Sequence, residues 1–121
     1  MAIKQFEDLK VWHSSRDFVK STYKLTSNPK FKNDFGLKDQ FQRVSVSIMN
    51  NIAEGIERDN NKEFIRFLTF SKGSASEVRS LLYVALDLDY ITKEEFNIHY
   101  NLAIDIITQI SNFIKYLNKT K

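Results

Sequence analysis

The chain has 121 residues, of which 42% are hydrophobic and 27% charged, a composition typical of a globular protein and too apolar for disorder. It contains no cysteine, which excludes disulfides, zinc–thiolate sites and thiol nucleophiles. The net charge of +3 permits an anionic partner without requiring one. Three glycines and one proline favour long helices over strands. We therefore expect a single domain over residues 1–121.

The N-terminus of the chain and the length of its apolar runs indicate where the protein is located. The N-terminus lacks the basic-then-apolar layout of a signal peptide, and no apolar run approaches ~20 residues. We expect a cytoplasmic protein that does not span a membrane.

The first predicted helix runs from Glu7 to Ser27. Its apolar face is spaced by threes and fours and consists of Val11, Trp12, Phe18, Val19, Tyr23 and Leu25. Asn28-Pro29 ends this helix, because the residue before a proline avoids the helical conformation. Residues 30–36 are predicted to form a loop.

The second predicted helix, from Leu37 to Arg58, carries two apolar stripes. The first consists of Leu37, Phe41, Val44, Ile48 and Ile52. The second widens the apolar surface and consists of Val46, Met49, Ala53 and Ile56. Contact with two neighbouring helices of one bundle explains the second stripe, and so does an interface between subunits. The pattern is compatible with both.

The third predicted helix follows Asn60, which forms a potential capping box with Glu63, and it runs to about Asp89. Its apolar stripe consists of Phe64, Phe67, Leu68, Ser71, Ser74, Ala75, Val78, Leu82, Ala85 and Leu88. Small residues occupy the middle of this stripe. They favour a close helix crossing there over space for a ligand.

The last predicted helix starts at Lys93, after a second potential capping box formed by Thr92 and Glu95, and continues to the C-terminus. Its wide apolar stripe consists of Phe96, Tyr100, Ala103, Ile106, Ile107, Ile110, Phe113, Ile114 and Leu117. The short connections after the second and third helices predict antiparallel neighbours. The predicted fold is all-α, an antiparallel up-down four-helix bundle.

The sequence shows no catalytic or metal-binding pattern. A di-iron bundle requires Glu-x-x-His pairs, and neither His13 nor His99 has a glutamate three residues before it. No glycine-rich phosphate loop and no nucleophile elbow is present. We therefore expect no enzymatic activity, no cofactor and no bound metal.

A stripe of polar residues follows the second helix at spacings of three and four, and it is expected to lie opposite the Phe41 stripe. It consists of Gln40, Arg43, Ser47, Asn51 and Glu54. Three interpretations fit: a solvated face, a semi-buried polar seam, or a groove for a polar ligand. In the last, Arg43 binds phosphate while Glu54 orients or pairs with it.

Short motifs occur along nearly the whole chain. They are Phe6–Leu9 with Trp12, Tyr23 with Leu25-Thr26, Phe35–Leu37, Ser47-Ile48 and the family-motif residues Gln40, Arg43, Asn51, Glu54, Gly55, Gly73, Ser74 and Glu77. Together they resemble the bacterial four-helix bundle proteins encoded in intervening sequences of 23S rRNA genes. The resemblance implies a small helical subunit that assembles into a ring-shaped homopentamer. A related protein is the accessory protein of diversity-generating retroelements, which binds nucleic acid and a reverse transcriptase. The resemblance thus implies nucleic-acid association more weakly than it implies the fold.

Basic residues supply candidate contacts to RNA or DNA phosphates. The candidates are Arg43, Lys62, Arg66, Lys72 and Arg79, and further basic residues occur at Lys20, Lys24, Lys30 and Lys32. Ring assembly multiplies each patch, and we expect recognition through backbone charge and shape over base reading. Stacking on aromatic rings is not expected, because most Phe and Tyr positions fall on core stripes. The alternative is a protein-interaction scaffold for a partner enzyme such as a reverse transcriptase, without direct nucleic-acid contact.

Overall fold

The computed structural model describes residues 3–119. In this range the chain forms four long helices and two short 3₁₀ turns, Phe6–Asp8 and Pro29–Phe31. The helices are α1 (Lys10–Thr26), α2 (Phe35–Ile56), α3 (Asn61–Asp87) and α4 (Lys93–Lys119). The described part of the chain contains no strand, so the all-α class is confirmed. The predicted continuation of the last helix to the C-terminus lies outside the described residues.

Side-chain contacts show that neighbouring helices run antiparallel. Between α2 and α3, Gln40 lies opposite Glu77 and Ile48 lies opposite Ser71, so residue numbers rise on one helix as they fall on the other. Between α3 and α4, Phe64 packs edge-on against Phe113, with their ring centroids 5.3 Å apart. Each helix contacts the next along the chain, and α1 also contacts α4. The predicted up-down four-helix bundle is confirmed.

The N-terminal helix starts later than predicted. Leu9 is extended, with φ −95° and ψ 122°, and it separates the first 3₁₀ turn from α1. The predicted stop at Asn28-Pro29 is confirmed, because α1 ends at Thr26 and Pro29 opens the second 3₁₀ turn. Helix α2 begins two residues before the predicted Leu37, since the side chain of Asp34 accepts a hydrogen bond from the Leu37 amide at 3.2 Å.

The two predicted capping boxes differ in completeness. At α4, the Thr92 amide donates to Glu95 Oε1 at 2.8 Å and the Glu95 amide donates to Thr92 Oγ1 at 3.1 Å. This box is therefore complete. At α3, Asn60 Oδ1 accepts from the Glu63 amide at 2.8 Å, but the Glu63 side chain pairs with Arg66. Asn60 is thus a simple cap.

The core consists of apolar side chains from all four helices and the second 3₁₀ turn. Its fully buried large members include Phe18, Phe31, Phe41, Ile48, Ile52, Leu68, Leu82, Ile106 and Ile110. Two residues that the periodicity placed on core stripes are exposed instead: Tyr23 at 46% and Leu88 at 49%. Leu88 caps α3, and the chain turns away at Asp89 in the left-handed region. Tyr23 follows the buried Thr22 and points outward.

Small residues bring α3 close to α2, as predicted. Ser71 is fully buried, and its hydroxyl donates to the Ile48 carbonyl across the helix pair at 2.7 Å. A Cβ on Gly55 of α2 would lie 2.9 Å from both Phe64 Cδ1 and Phe67 Cβ of α3. Gly73 does not take part in this contact, because a Cβ there would meet no atom within 4 Å.

Candidate nucleic-acid interface

The five predicted phosphate contacts are spread over two helices. They are Arg43 on α2 and Lys62, Arg66, Lys72 and Arg79 on α3. Arg43 is 80% exposed and lies 3.6 Å from Asp39, and Arg66 lies 3.0 Å from Glu63. Both guanidinium groups are therefore partly neutralised by a carboxylate of their own helix. The structure does not gather the five into one surface.

Arg79 is engaged inside the subunit. Its Nη2 donates to the Tyr100 hydroxyl at 2.7 Å, and its guanidinium carbon lies 5.0 Å from the centre of the same ring. The Nε atom is buried and has no hydrogen-bond partner among the described residues. Among the five predicted contacts, Arg79 is consequently the least available to a phosphate.

The Arg79 contact has a consequence for tyrosine ionisation. The hydrogen bond from Arg79 lowers the pKa of Tyr100 below its ordinary value of 10.0, because the cation favours the phenolate. The hydrogen bond that Tyr90 donates to Asp34 Oδ2 at 3.0 Å raises the pKa of Tyr90 instead. The Tyr100 contact therefore adds stability that is fully present above the pKa of the unfolded chain and is lost as pH falls through the lowered pKa of the folded protein. The Tyr90 contact adds stability that is present below the unfolded pKa and is lost as pH rises through the raised pKa of the folded protein.

We expect Tyr100→Phe to remove absorbance change from the early part of an alkaline spectrophotometric titration, and Tyr90→Phe to remove it from the late part. The reason is the opposite direction of the two pKa shifts. Titration of the folded protein followed at the phenolate band measures this. If both variants lose the late part of the curve, Arg79 does not bind Tyr100 in solution. If both lose the early part, Tyr90 does not donate to Asp34.

The most basic surface lies on α1 and the loop after it. Its six basic residues, all exposed, are Lys10, Arg16, Lys20, Lys24, Lys30 and Lys32. Asp17 is the only acidic residue between positions 10 and 32, so this segment carries +5 while the whole chain carries +3. The remainder of the chain therefore sums to −2. None of the six forms an ion pair with another of the described residues.

Helix geometry aligns part of this charge. Arg16, Lys20 and Lys24 are four residues apart, which places successive charges about 6 Å apart along one side of α1. Exposed Tyr23 lies on the same side. We name the surface formed by Arg16, Lys20, Tyr23 and Lys24 the α1 basic face. The sequence predicts a basic patch that includes Lys20 and Lys24 but places Tyr23 on the apolar face of the helix.

The polar stripe of α2 lies beside α3 and not opposite the core. Ser47 Oγ lies 3.0 Å from Ser74 Oγ, and Asn51 Nδ2 donates to the Ser47 carbonyl at 2.9 Å. Gln40 Nε2 donates to Glu77 Oε2 at 3.4 Å. Among the three interpretations of the stripe, the semi-buried polar seam is the one that the structure shows along its middle. An open groove of about 520 Å³ borders it at the Gln40 end.

Arg43 and Glu54 do not form the predicted pair. They are 11 residues apart on one helix, which separates their backbones by about 16 Å along its axis. Each has a nearer partner four residues away: Arg43 pairs with Asp39, and Glu54 pairs with Arg58 at 2.7 Å.

The predicted subunit interface lies on the α1 side of α2. Its four residues, Val46, Met49, Ala53 and Ile56, are each half-buried within the subunit. Gln42, on the same side of α2, donates to Thr26 of α1 at 3.1 Å. Ile56 packs against the core. Part of this flank is thus covered by its own subunit, and its role in assembly stays a prediction.

The two histidines make local contacts. His13 Nε2 lies 2.8 Å from the Glu7 carbonyl, and His99 Nδ1 lies 2.9 Å from the Glu95 carbonyl. Within residues 3–119, no group of three or more His, Cys, Asp or Glu side chains is placed to hold a metal ion. In the same range no helix combines the length and apolarity needed to cross a membrane.

The geometry defines an all-α four-helix bundle with one strongly basic helix face. A solved protein of unknown function from the S23 ribosomal protein family of Bacteroides thetaiotaomicron has this fold: it is 25% identical, with a TM-score of 0.79, and the match covers 87% of this chain and 98% of that one. The chain belongs to the 23S rRNA-intervening sequence protein family, whose sequence model matches residues 7–112. No curated protein matches the chain significantly.

Proposed function

We propose that this protein is a non-enzymatic, oligomeric accessory protein that associates with RNA or DNA through basic patches multiplied by ring assembly. The observation that supports the proposal most is the concentration of charge on α1 and its loop, +5 over residues 10–32 in a chain of +3. Because the rest of the chain is net negative, a polyanion is attracted to one side of the subunit.

Ring assembly would make this charge useful. A few lysines bind phosphates weakly, and affinity grows with the number of phosphates neutralised. In the homopentamer that we propose, each copy presents the same surface, so contacts made by one copy raise the local concentration of nucleic acid near the next.

The test is filter binding of structured RNA and of single-stranded RNA and DNA across a salt series. We expect binding at low salt that weakens steeply as salt rises. Absence of binding at low salt, or binding that ignores salt, would remove the proposal.

A protein-interaction scaffold is the second candidate, and exposed apolar side chains favour it. Phe35 is 76% exposed at the start of α2. Because α2 and α3 are antiparallel, Phe35 lies toward the end of α3 that holds the exposed Val84 and Leu88. A pull-down from nuclease-treated lysate separates the two candidates, since a protein partner survives the nuclease and a partner held through nucleic acid does not.

We expect Met49→Glu to release monomers from the oligomer while leaving helicity largely intact. The half-buried Met49 lies in the predicted interface, where an uncompensated carboxylate carries a desolvation cost. Light scattering measures the mass, and circular dichroism checks the helices. Asn50→Glu, one position along at an exposed site, is the matched control. An unchanged mass for Met49→Glu would count against this flank as the interface.

A further inference from the structure

We infer that the α1 basic face binds single-stranded nucleic acid, with phosphates on Arg16, Lys20 and Lys24 and an unstacked base against the ring of Tyr23. This inference rests on the proposed function and specifies its site and its ligand. It differs from the sequence-based expectation, which included no aromatic stacking.

Tyr23 is a free ring on the charged side of α1. Its side chain is 46% exposed, and it makes no ring contact and no side-chain hydrogen bond among the described residues. Two other exposed tyrosines lie against neighbouring rings, Tyr83 4.9 Å from Phe96 and Tyr116 6.1 Å from Phe113. An exposed aromatic face stacks on any base and contributes substantially to binding of single strands.

The cations around Tyr23 are placed to hold the strand that supplies the base. Lys20 precedes Tyr23 by one helical turn, Lys24 follows it directly, and Arg16 lies two turns before it. Lysine and arginine along one line follow a phosphate backbone, and the ring between them accepts a base of the same strand. In a duplex the bases are stacked on one another, so the ring of Tyr23 does not contribute to the affinity for a duplex.

A second exposed ring beside cations is less suitable. Phe70 is 45% exposed, and the Arg66 guanidinium carbon lies 5.2 Å from its centre. However, Arg66 is paired with Glu63, and the neighbouring Arg58 is paired with Glu54 at 2.7 Å. A phosphate at this cluster would meet two carboxylates. Asp17 is the only acidic residue of α1, and Glu95 of α4 borders the same groove as Lys24. Among the described residues, neither carboxylate forms an ion pair with a cation of the α1 basic face, so the attraction for a phosphate is larger there.

The experiment measures fluorescence anisotropy of a labelled, unstructured single-stranded RNA and of a hairpin duplex of the same length, with single-stranded DNA as a further arm. The proteins are the full chain and its Tyr23→Ala, Tyr23→Phe and Phe70→Ala variants. Circular dichroism checks that each variant is folded. We expect all of them to fold, because the replaced side chains are exposed.

We expect Tyr23→Ala to weaken binding of the single strand about 10-fold or more, with an unchanged salt dependence, because stacking is lost while the phosphate contacts remain. Tyr23→Phe and Phe70→Ala should bind like the wild type, and Tyr23→Ala should bind the hairpin like the wild type. Equal binding of the single strand by Tyr23→Ala and wild type overturns the inference alone. If the wild-type protein binds neither ligand at low salt, the proposed function fails with it.

Discussion

Replacing Arg16, Lys20 and Lys24 together by glutamine is expected to weaken binding of single-stranded RNA about 100-fold at about 0.1 M salt. Each lost phosphate contact removes the release of roughly 0.7 counterion from a single strand, and three such losses give about two powers of ten at that salt concentration. Glutamine keeps the helix propensity of lysine and arginine, so α1 should remain folded. Anisotropy at constant salt measures the effect.

A charge-matched variant separates a specific face from overall charge. Replacing Arg43, Lys62 and Lys72 by glutamine also removes three positive charges, but from contacts that were predicted by sequence alone. We expect this control to bind nearly as well as the wild type, because Arg43 already faces Asp39 and the other two lie apart on α3. Equal losses in both variants would mean that net charge governs binding. A larger loss in the control would move the interface to α2 and α3.

Gly55→Ala is expected to destabilise the subunit by about 1–2 kcal/mol. The new methyl group would lie 2.9 Å from Phe64 Cδ1 and from Phe67 Cβ. Overpacking costs roughly 1–3 kcal/mol, and here we expect about 2–3 kcal/mol because two atoms are met at once. Gain of helix propensity offsets about 1 kcal/mol of that cost. The contact with Phe67 Cβ is the harder one to relieve, because that atom is fixed to the backbone of α3. Chemical denaturation measures the change.

Gly73→Ala is the matched comparison and should have the opposite sign. The same substitution in another long helix places its methyl group where no atom lies within 4 Å, so the helix-propensity gain of about 1 kcal/mol is not offset. Light scattering of the same sample tests the assembly. If Gly73→Ala dissociates the oligomer, then this face of α3 is a subunit interface. If the Gly55→Ala variant is as stable as the wild-type protein, the close contact between α2 and α3 is contradicted.

The fold was predictable because each helix repeats apolar residues at helical spacing and has local end signals. Asn28-Pro29 ends α1, and the Thr92–Glu95 box opens α4, as the sequence indicates. Such signals act within a few residues, so no distant contact is needed to interpret them. The errors lie at the margins: Leu9 interrupts the first helix, and Leu88 lies beyond the last turn of α3.

The candidate site was less predictable, since it depends on which side of a helix is left uncovered. The periodicity of α1 places Tyr23 on the apolar face, and only the positions of the neighbouring helices show that its ring is exposed. The same holds for cations. Arg79 and Lys20 are both basic residues on a helix, yet Arg79 binds the half-buried Tyr100 of its own subunit while Lys20 remains unpaired on the surface.

The salt dependence of single-strand binding tests the central claim most directly. The slope of the logarithm of the binding constant against the logarithm of salt concentration is measured for the wild-type protein and for the variant that lacks Arg16, Lys20 and Lys24. If these side chains hold phosphates, the slope of the variant is shallower by about 2 or more, roughly 0.7 for each lost contact. Two parallel lines would show that nucleic acid does not bind along α1.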